Sequence, residues 1–480
     1  MNLLGSLVVA GLAVFLGATA SESAVINSVQ TGTTTLGPGV SQANVTITAV
    51  TLTTRSVLFF GVEEDNVDPA NGHVRGQLTT TTNIAFNRAD TVTTVVVRWY
   101  VAEFASGVSV QRGSQTMTTD AVNVTLTSVD LSRTYALITY QHTGTTYGVG
   151  DFYRARLTSS TNLELSKQAG GSTGAVVEWQ VVELTAGGTV QSGDLSFLTS
   201  DASKTAAISA VDSTKAFLLA YWNVGGAGIA PNFIRGRITS ATQLTFDRAD
   251  TGTTVNLTYF VVGLNDASTV QNGNTSFLST ETSKGDTLSA VTLSRSIAFL
   301  SGKGYGGSTS ANADNPGPGW FTADLTTTTN LQLVRGTTGT ATADAAWFVV
   351  EFSDKSVTVS NSVFAFGTRP LNTWLAADSS VLTNDSPVTE DLVGKISSFT
   401  DGADTWTLSS SANGPGQVRA QWSTTSSTGP WNDIAAYDSA FTIRTGLASS
   451  GSDTLYLRMQ TPTSTSSLDQ HSSTLTVTAQ

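Results

Sequence analysis

The chain has 480 residues, a formal net charge of −12 and no cysteine. The absence of cysteine excludes disulfide bonds, thiolate metal sites and thiol nucleophiles, and the acidic balance argues against a nucleic-acid-binding protein, which needs a basic surface. Charged residues make up only 12% of the sequence, whereas the 39% hydrophobic content is sufficient for several cores.

An uncharged, apolar segment opens the chain and has two interpretations. Residues 3–20 end in Ala18-Thr19-Ala20, which fits a signal-peptide cleavage site, although no basic residue precedes the segment. The alternative is a retained apolar helix, about 27 Å long, which barely spans a bilayer. We favour a cleaved export signal at residues 1–20. Both interpretations predict a secreted or cell-surface protein, whose only membrane contact is through residues 3–20 if they are not cleaved.

Residues 21–39 are predicted to form an N-terminal tail ahead of the repeats. Val25, Ile26 and Val29 lie in a short strand-like stretch, AVINSV. Such a strand can add to the sheet edge of a neighbouring molecule and so build a filament. The alternative is a flexible terminus.

Four copies of one unit follow. The phrases VVVRWYVAEF, AVVEWQVVEL, VNLTYFVVGL and DAAWFVVEF are centred on Trp99, Trp179, Tyr259 and Trp347. The first three are each followed by VQ-x-G, and all four are preceded by a Thr-rich phrase such as TTTTN. Alternating apolar and polar residues, rich in Val, Thr, Tyr and Trp, predict the half-buried strands of antiparallel sandwiches.

These patterns predict an all-β fold. It is a string of four homologous antiparallel β-sandwich repeats, at residues 40–117, 118–197, 198–277 and 278–366. The repeat pattern then stops, and residues 371–480, which include QVRAQWSTTSSTGPWNDI and TLYLRMQTP, predict a different C-terminal β-sandwich.

One loop varies among the repeats in length and chemistry. It reads GVEEDNVDPANGH, QHTGTTYGVG, NVGGAGIAPN and SGKGYGGSTSANADNPGPG in repeats 1 to 4. Because variable loops on a rigid sandwich commonly bind ligands, Tyr147, Trp222 and Trp320 are candidate residues for stacking on sugar rings. The alternative is that these rings plug the ends of the sandwiches.

The first of these loops carries the densest acidic cluster of the chain. Glu63, Glu64, Asp65 and Asp68 are candidate calcium ligands, since extracellular modules often bind Ca²⁺ through carboxylates. Their spacing does not match a D-x-D-x-D-G loop, and the alternative is a solvated acidic loop. No other cofactor is predicted.

Two histidines, His73 and His142, lie in or beside variable loops of different repeats. They can form a common site only if those loops meet. The sequence contains no H-E-x-x-H motif, and its many serines define no specific Ser–His–Asp set. We therefore predict that the protein is not an enzyme.

The order TNIAF…VRWYVAEF resembles small six-stranded lectin-type sandwiches of agglutinins and phage fibre proteins. The stretch RAQWSTTSSTGPWNDI…LYLRMQTPTSTSS resembles domains of large secreted surface proteins of bacteria. Together these resemblances imply a tandem-repeat surface or fibre protein, and they identify no sugar-binding residue.

We therefore expect a non-enzymatic extracellular structural protein that associates with copies of itself to build a surface filament, sheath or fibre. The alternative is a glycan-binding surface adhesin or a phage fibre protein, in which the four variable loops bind cell-surface glycans together.

Overall fold

The computed structural model describes residues 9–15, 24–64, 68–144, 147–170, 174–226, 232–304, 319–338, 342–386, 388–467 and 469–479. The chain divides into two compact units. The first is Ile26–Ser353, and the second combines the N-terminal segment up to Val25 with Asp354–Gln480. The predicted all-β fold, with repeated sandwich-like units and a distinct C-terminal β-domain, is confirmed.

Strand β1 (Val9–Phe15) belongs to the second unit, and the first unit contains four groups of six strands. Repeat 1 comprises β2 (Ile26–Leu36), β3 (Gln42–Thr46), β4 (Ser56–Glu63), β5 (Arg75–Thr80), β6 (Asn83–Asn87) and β7 (Val95–Phe104). Repeat 2 comprises β8 (Ser109–Thr116), β9 (Ala121–Thr125), β10 (Thr134–Gln141), β11 (Arg154–Ser159), β12 (Asn162–Ser166) and β13 (Val176–Glu183).

Repeat 3 comprises β14 (Gly188–Phe197), β15 (Ser203–Ala207), β16 (Ala216–Val224), β17 (Ile234–Ser240), β18 (Gln243–Arg248) and β19 (Val255–Leu264). Repeat 4 comprises β20 (Thr269–Phe277), β21 (Ser283–Thr287), β22 (Ser296–Gly304), β23 (Phe321–Thr327), β24 (Asn330–Arg335) and β25 (Ala343–Glu351). Helical turns are short: α1 (Pro69–Gly72) and the 3-10 turns Thr53–Arg55, Leu131–Arg133 and Leu293–Arg295.

Each repeat consists of two three-stranded antiparallel sheets. The inner sheet joins the first, last and third strands, in the orders β2-β7-β4, β8-β13-β10, β14-β19-β16 and β20-β25-β22. The outer sheet joins the second, fifth and fourth strands, in the orders β3-β6-β5, β9-β12-β11, β15-β18-β17 and β21-β24-β23. The repeats therefore begin one strand earlier than predicted, and residues 26–36 form the first strand of repeat 1.

The VQ-x-G phrase has the same structural role in every repeat. Its glycine is the cross-strand partner of the central aromatic residue, in the pairs Gly32 with Trp99, Gly113 with Trp179, Gly193 with Tyr259 and Gly273 with Trp347. Its glutamine bonds both backbone groups of one loop residue, as when Gln30 donates to Thr48 O and accepts from Thr48 N, both at 2.8 Å. The phrase thus fixes the first strand in its sheet.

The four repeats form a closed ring. The fourth strand of each repeat packs on the inner sheet of the next, so that β5 contacts β10 and β13, β11 contacts β16 and β19, and β17 contacts β22 and β25. In the same way β23 of repeat 4 contacts β4 and β7 of repeat 1. The sequence predicted a string of repeats and gave no indication of this closure.

The interface between repeats 4 and 1, which closes the ring, also contains an ion pair and hydrogen bonds. Arg98 of repeat 1 pairs with Asp324 of repeat 4 at 2.9 Å, and the Leu325 amide donates to Tyr100 Oη at 3.0 Å. The ends of the unit also meet, because the Ile26 amide donates to Ser353 O at 2.8 Å. The first unit is therefore held as one body by four related interfaces.

The second unit is the C-terminal β-domain. Its strands are β26 (Val357–Val359), β27 (Val363–Pro370), β28 (Asp378–Asn384), β29 (Glu390–Ile396), β30 (Phe399–Thr400), β31 (Thr405–Leu408), β32 (Gln417–Ser423), β33 (Asn432–Asp433), β34 (Phe441–Leu447), β35 (Ser452–Gln460) and β36 (His471–Ala479). They enclose one core around Trp406, Phe399 and Leu457. Residues 357–366, predicted as the end of repeat 4, belong here because β26 pairs with β28 and β27 with β1.

The apolar N-terminal segment contributes a strand to this second domain. Val9–Phe15 runs antiparallel to β27 and parallel to β36. The helix that one interpretation predicted is therefore not formed at residues 9–15, whereas residues 1–8 and 16–23 lie outside the described part. In the ranges that the structure covers, no helix has the length and apolar character needed to cross a membrane.

Candidate functional sites

A cavity of about 300 Å³ lies at the centre of the ring. The third strand of every inner sheet contributes to its wall, at equivalent positions of the four repeats: Phe60 and Gly61, Ile138 and Thr139, Ala220 and Tyr221, and Leu300 and Ser301. These strands form the wall because each is the edge of its inner sheet that faces the other repeats. The cavity is thus created by ring closure.

The variable loops meet at one end of this cavity. His73 of repeat 1 contacts Phe152 of repeat 2 and Trp320 of repeat 4, with ring centroids 5.6 and 5.2 Å apart. Phe152 also contacts Trp222 and Phe233 of repeat 3, at 6.3 and 5.5 Å. One aromatic cluster therefore joins all four repeats.

All three aromatic residues predicted as sugar-stacking residues belong to this cluster. Trp320 Nε1 donates to Tyr147 Oη at 3.2 Å, and Trp222 Nε1 donates to Asn232 O at 2.7 Å. Tyr147 is buried, whereas Trp222 and Trp320 are half-buried. Their positions fit the alternative interpretation, in which the rings plug the end of the fold.

The two loop histidines also meet. The rings of His73 and His142 lie 6.5 Å apart, and His142 Nε2 lies 3.1 Å from Asp151 Oδ1. The Gly144 amide donates to His142 Nδ1 at 2.8 Å, so the proton of the neutral ring is on Nε2. Burial lowers the pKa of His142 to about 4 and raises the pKa of Asp151 to about 7. Burial also lowers the pKa of His73 well below its usual value.

These shifts predict opposite effects on stability. A carboxyl with a raised pKa binds its proton more tightly in the folded chain, so Asp151 makes stability fall as pH rises from about 4 to 7. A histidine with a lowered pKa has the reverse effect, and stability falls as pH drops below about 6.5. We expect Asp151→Asn to gain stability relative to the parent as pH rises from 5 to 7, by at most about 1.4 kcal/mol per pH unit.

Denaturant unfolding at pH 5, 6 and 7 measures this difference. The control is Asp130→Asn, at an exposed carboxylate whose pKa is lowered by bonds from Ser132, and it should show no trend over this range. A constant difference between Asp151→Asn and the parent across the three pH values would contradict the assignment.

The three predicted calcium ligands that the structure describes, Glu63, Glu64 and Asp68, do not form a common metal-binding group. Glu63 accepts a hydrogen bond from Thr322 Oγ1 at 2.9 Å, and burial raises its pKa. Glu64 is buried, Asp68 caps α1 by accepting from the Ala70 amide at 3.1 Å, and Asp65 lies outside the described residues. Over the described ranges, no group of three or more His, Asp or Glu side chains could hold a metal ion.

The predicted self-assembly strand lies inside the fold. Val25, Ile26 and Val29 are buried, and Ile26 and Val29 belong to β2, which pairs with β7 of the same chain along its length. Residues 26–36 are therefore an integral strand of repeat 1. The sequence signal was present, because Val29-Gln30-Thr31-Gly32 is a fourth copy of VQ-x-G.

A different N-terminal strand has the position of an added strand. Residues 9–15 lie between β27 and β36, and among the described strands β27 forms a sheet ladder with β1 alone. Comparison with protein-family models finds no match, and comparison with curated proteins finds none either.

Proposed function

We propose that the protein is a non-enzymatic structural protein whose copies join into an extracellular filament, sheath or fibre. The observation that supports this proposal is the position of β1, which completes the sheet of a domain at the other end of the chain. The proposal keeps the location predicted from the sequence, and it requires residues 9–15 to stay on the mature protein.

The C-terminal domain needs a strand at this position. Phe364 and Phe366 of β27 are buried, as are Leu475 and Val477 of β36, so both flanking strands belong to the core. Without β1, the facing backbone groups of β27 and β36 would lose their partners, and an open strand edge pairs readily with another chain. The domain is therefore an acceptor for one extended segment.

Another copy of the chain can supply that segment. An identical strand makes identical contacts, which is why exchange of a terminal element is a common route to assembly. Residues 16–25 connect β1 to β2, and a connector of this length spans at most about 36 Å when extended. If each copy donates its strand to the next, the contact is head-to-tail and a chain of copies grows.

The ring is suited to such directed assembly. The outer sheets begin with the short strands β3, β9, β15 and β21, which have five residues each and expose polar or small residues at alternate positions. Short edge strands resist nonspecific pairing between sheets. Association is thereby directed to the acceptor site of the C-terminal domain.

Cysteine cross-linking tests the proposal, because the natural chain contains no cysteine. Ala13 and Ala365 are register partners in β1 and β27. We expect a disulfide-linked dimer when Ala13→Cys and Ala365→Cys chains assemble as a mixture. A mixture of Ala13→Cys with Ala207→Cys, on exposed β15, gives the background.

Electron microscopy of the same samples should show filaments, and a chain lacking residues 1–23 should form none. A mature protein that begins after residue 20, or cross-links only within single chains that carry both cysteines, would overturn the proposal.

A further inference from the structure

We infer that the central cavity of the ring is a binding site for a small, uncharged aromatic molecule that carries one hydrogen-bonding group. This inference rests on the cavity alone and is independent of self-assembly. A cavity of about 300 Å³ is at the lower end of the range for small-molecule sites, which are mostly apolar with a few polar groups.

The walls favour an aromatic molecule. Phe60, Tyr140, Tyr221, Phe299 and Trp320 line the cavity and are half-buried. Rings of a ligand can pack edge-to-face or in an offset stack against such side chains. Aliphatic residues such as Leu219 and Leu300 complete the wall.

The ligand should be uncharged. Among the described residues that line the cavity, none is Asp, Glu, Lys or Arg. The lining histidine, His73, is neutral at physiological pH because burial lowers its pKa. A charged group moved into these surroundings would lose its hydration without gaining a counter-ion.

Two residues that line the cavity each have a buried polar atom without a hydrogen-bond partner. His73 Nε2 and Tyr153 Oη are buried and make no hydrogen bond, whereas buried polar atoms in folded proteins almost always have one. Both residues contact the ring of Tyr140, at centroid distances of 4.7 and 4.8 Å. The two atoms thus belong to the loop end of the cavity.

Other polar side chains of the cavity wall already form hydrogen bonds within the protein. Gln180 bonds both backbone groups of Leu58, at 3.0 and 2.9 Å, Thr139 Oγ1 accepts from the Gly76 amide and Ser301 Oγ from the Gly236 amide. The hydrogen-bonding group of the ligand therefore lies at the loop end, beside His73 or Tyr153 after a small side-chain adjustment. Its aromatic body lies among the aromatic and aliphatic side chains that the four repeats contribute to the wall.

A matched pair of probes tests this assignment. Naphthalene and 2-naphthol differ by one hydroxyl group, and both are uncharged at pH 7. We expect saturable binding of each, with one site per chain, and about tenfold tighter binding of 2-naphthol, as one hydrogen bond to a buried partner provides. The readout is a titration followed by calorimetry and by probe fluorescence.

Two variants separate the parts of the site. Ala220→Trp fills the cavity and should abolish binding of both probes, while Ala207→Trp, on exposed β15, should bind like the parent. His73→Phe should bind naphthalene normally and lose most of the preference for 2-naphthol. If His73→Phe keeps that preference, Tyr153→Phe should lose it instead.

The assignment is overturned if neither probe shows saturable binding, or if both bind the Ala220→Trp protein as tightly as the parent. Should Ala220→Trp fail to fold by circular dichroism, His73→Phe and Tyr153→Phe decide. An unchanged preference for 2-naphthol in both would also overturn the assignment.

Discussion

Replacing Arg88 with methionine is expected to lower the free energy of unfolding of the ring by about 3 kcal/mol. The guanidinium of Arg88 is buried just after β6 and donates to three backbone carbonyls: Gly37 O at 2.7 Å, Val40 O at 3.0 Å and Thr93 O at 2.6 Å. Methionine has a similar length but no donor, so these charge-assisted bonds are lost together.

The same arrangement recurs elsewhere in the ring, which supports a structural role. Arg248 donates to Asp201 O, Thr253 O and Leu198 O, and Arg335 donates to Glu281 O and Leu278 O. In each case the side chain fixes the turn after the first strand of its repeat. Arg88→Lys should recover only part of the loss, because one ammonium group cannot match the planar fork.

Chemical denaturation followed by circular dichroism measures the effect. The control is Arg55→Met in the same repeat, where an exposed side chain makes one bond to Ala105 O, and its cost should be below about 1 kcal/mol. Equal stabilities of the Arg88→Met and Arg55→Met proteins would contradict the role assigned to the buried cation.

The strands and the repeat were predictable because they depend on local patterns. Alternation in Val95–Phe104 and its three counterparts specifies half-buried strands, and the recurrence of Trp99 as Trp179, Tyr259 and Trp347 marks the repeat. The boundaries were displaced by one strand because VQ-x-G follows each aromatic phrase along the chain, whereas its glycine pairs with the next aromatic phrase.

Ring closure and the cavity could not be predicted from the sequence. They depend on pairs of residues that are not marked by any recurring separation along the chain. Arg98 and Asp324 are distant in sequence and carry no motif, yet they form the closing ion pair. The candidate loop residues Tyr147, Trp222 and Trp320 were identified from loop variability. Their convergence with His73 and Phe152 follows only from the geometry of the ring.

The N-terminal segment shows a different limit of sequence analysis. Its uniform apolar character is compatible with a signal peptide, a helix or a buried strand, because periodicity does not separate these states in a short run. In the full chain, residues 9–15 form a strand because β27 and β36 provide hydrogen-bonding partners on both sides. Those partners lie more than 300 residues away in the sequence.

Replacing Gly273 with valine should lower the free energy of unfolding of the ring by about 3 kcal/mol, because the new side chain enters space that Trp347 occupies. A Cβ at Gly273 would lie 2.7 Å from Trp347 Cε2, and the indole is held over the glycine by a 3.2 Å bond from Nε1 to Thr275 Oγ1. The indole must leave the sheet surface or the strands must separate, and a buried tryptophan loses its packing in either case.

A double-mutant cycle distinguishes this clash from a general effect of valine. Trp347→Leu alone should destabilise the ring, but in the Gly273→Val/Trp347→Leu protein the smaller side chain leaves room for valine, so the two costs should not add. Gly37→Val, where an added Cβ meets nothing within 4 Å, should cost less than about 1 kcal/mol. Additive costs within about 0.5 kcal/mol would refute the proposed packing of Trp347 on Gly273. The other three repeats contain the equivalent pair of glycine and aromatic residue. Additive costs would therefore also refute the general role of the VQ-x-G glycine, which is to leave space for the aromatic side chain paired with it.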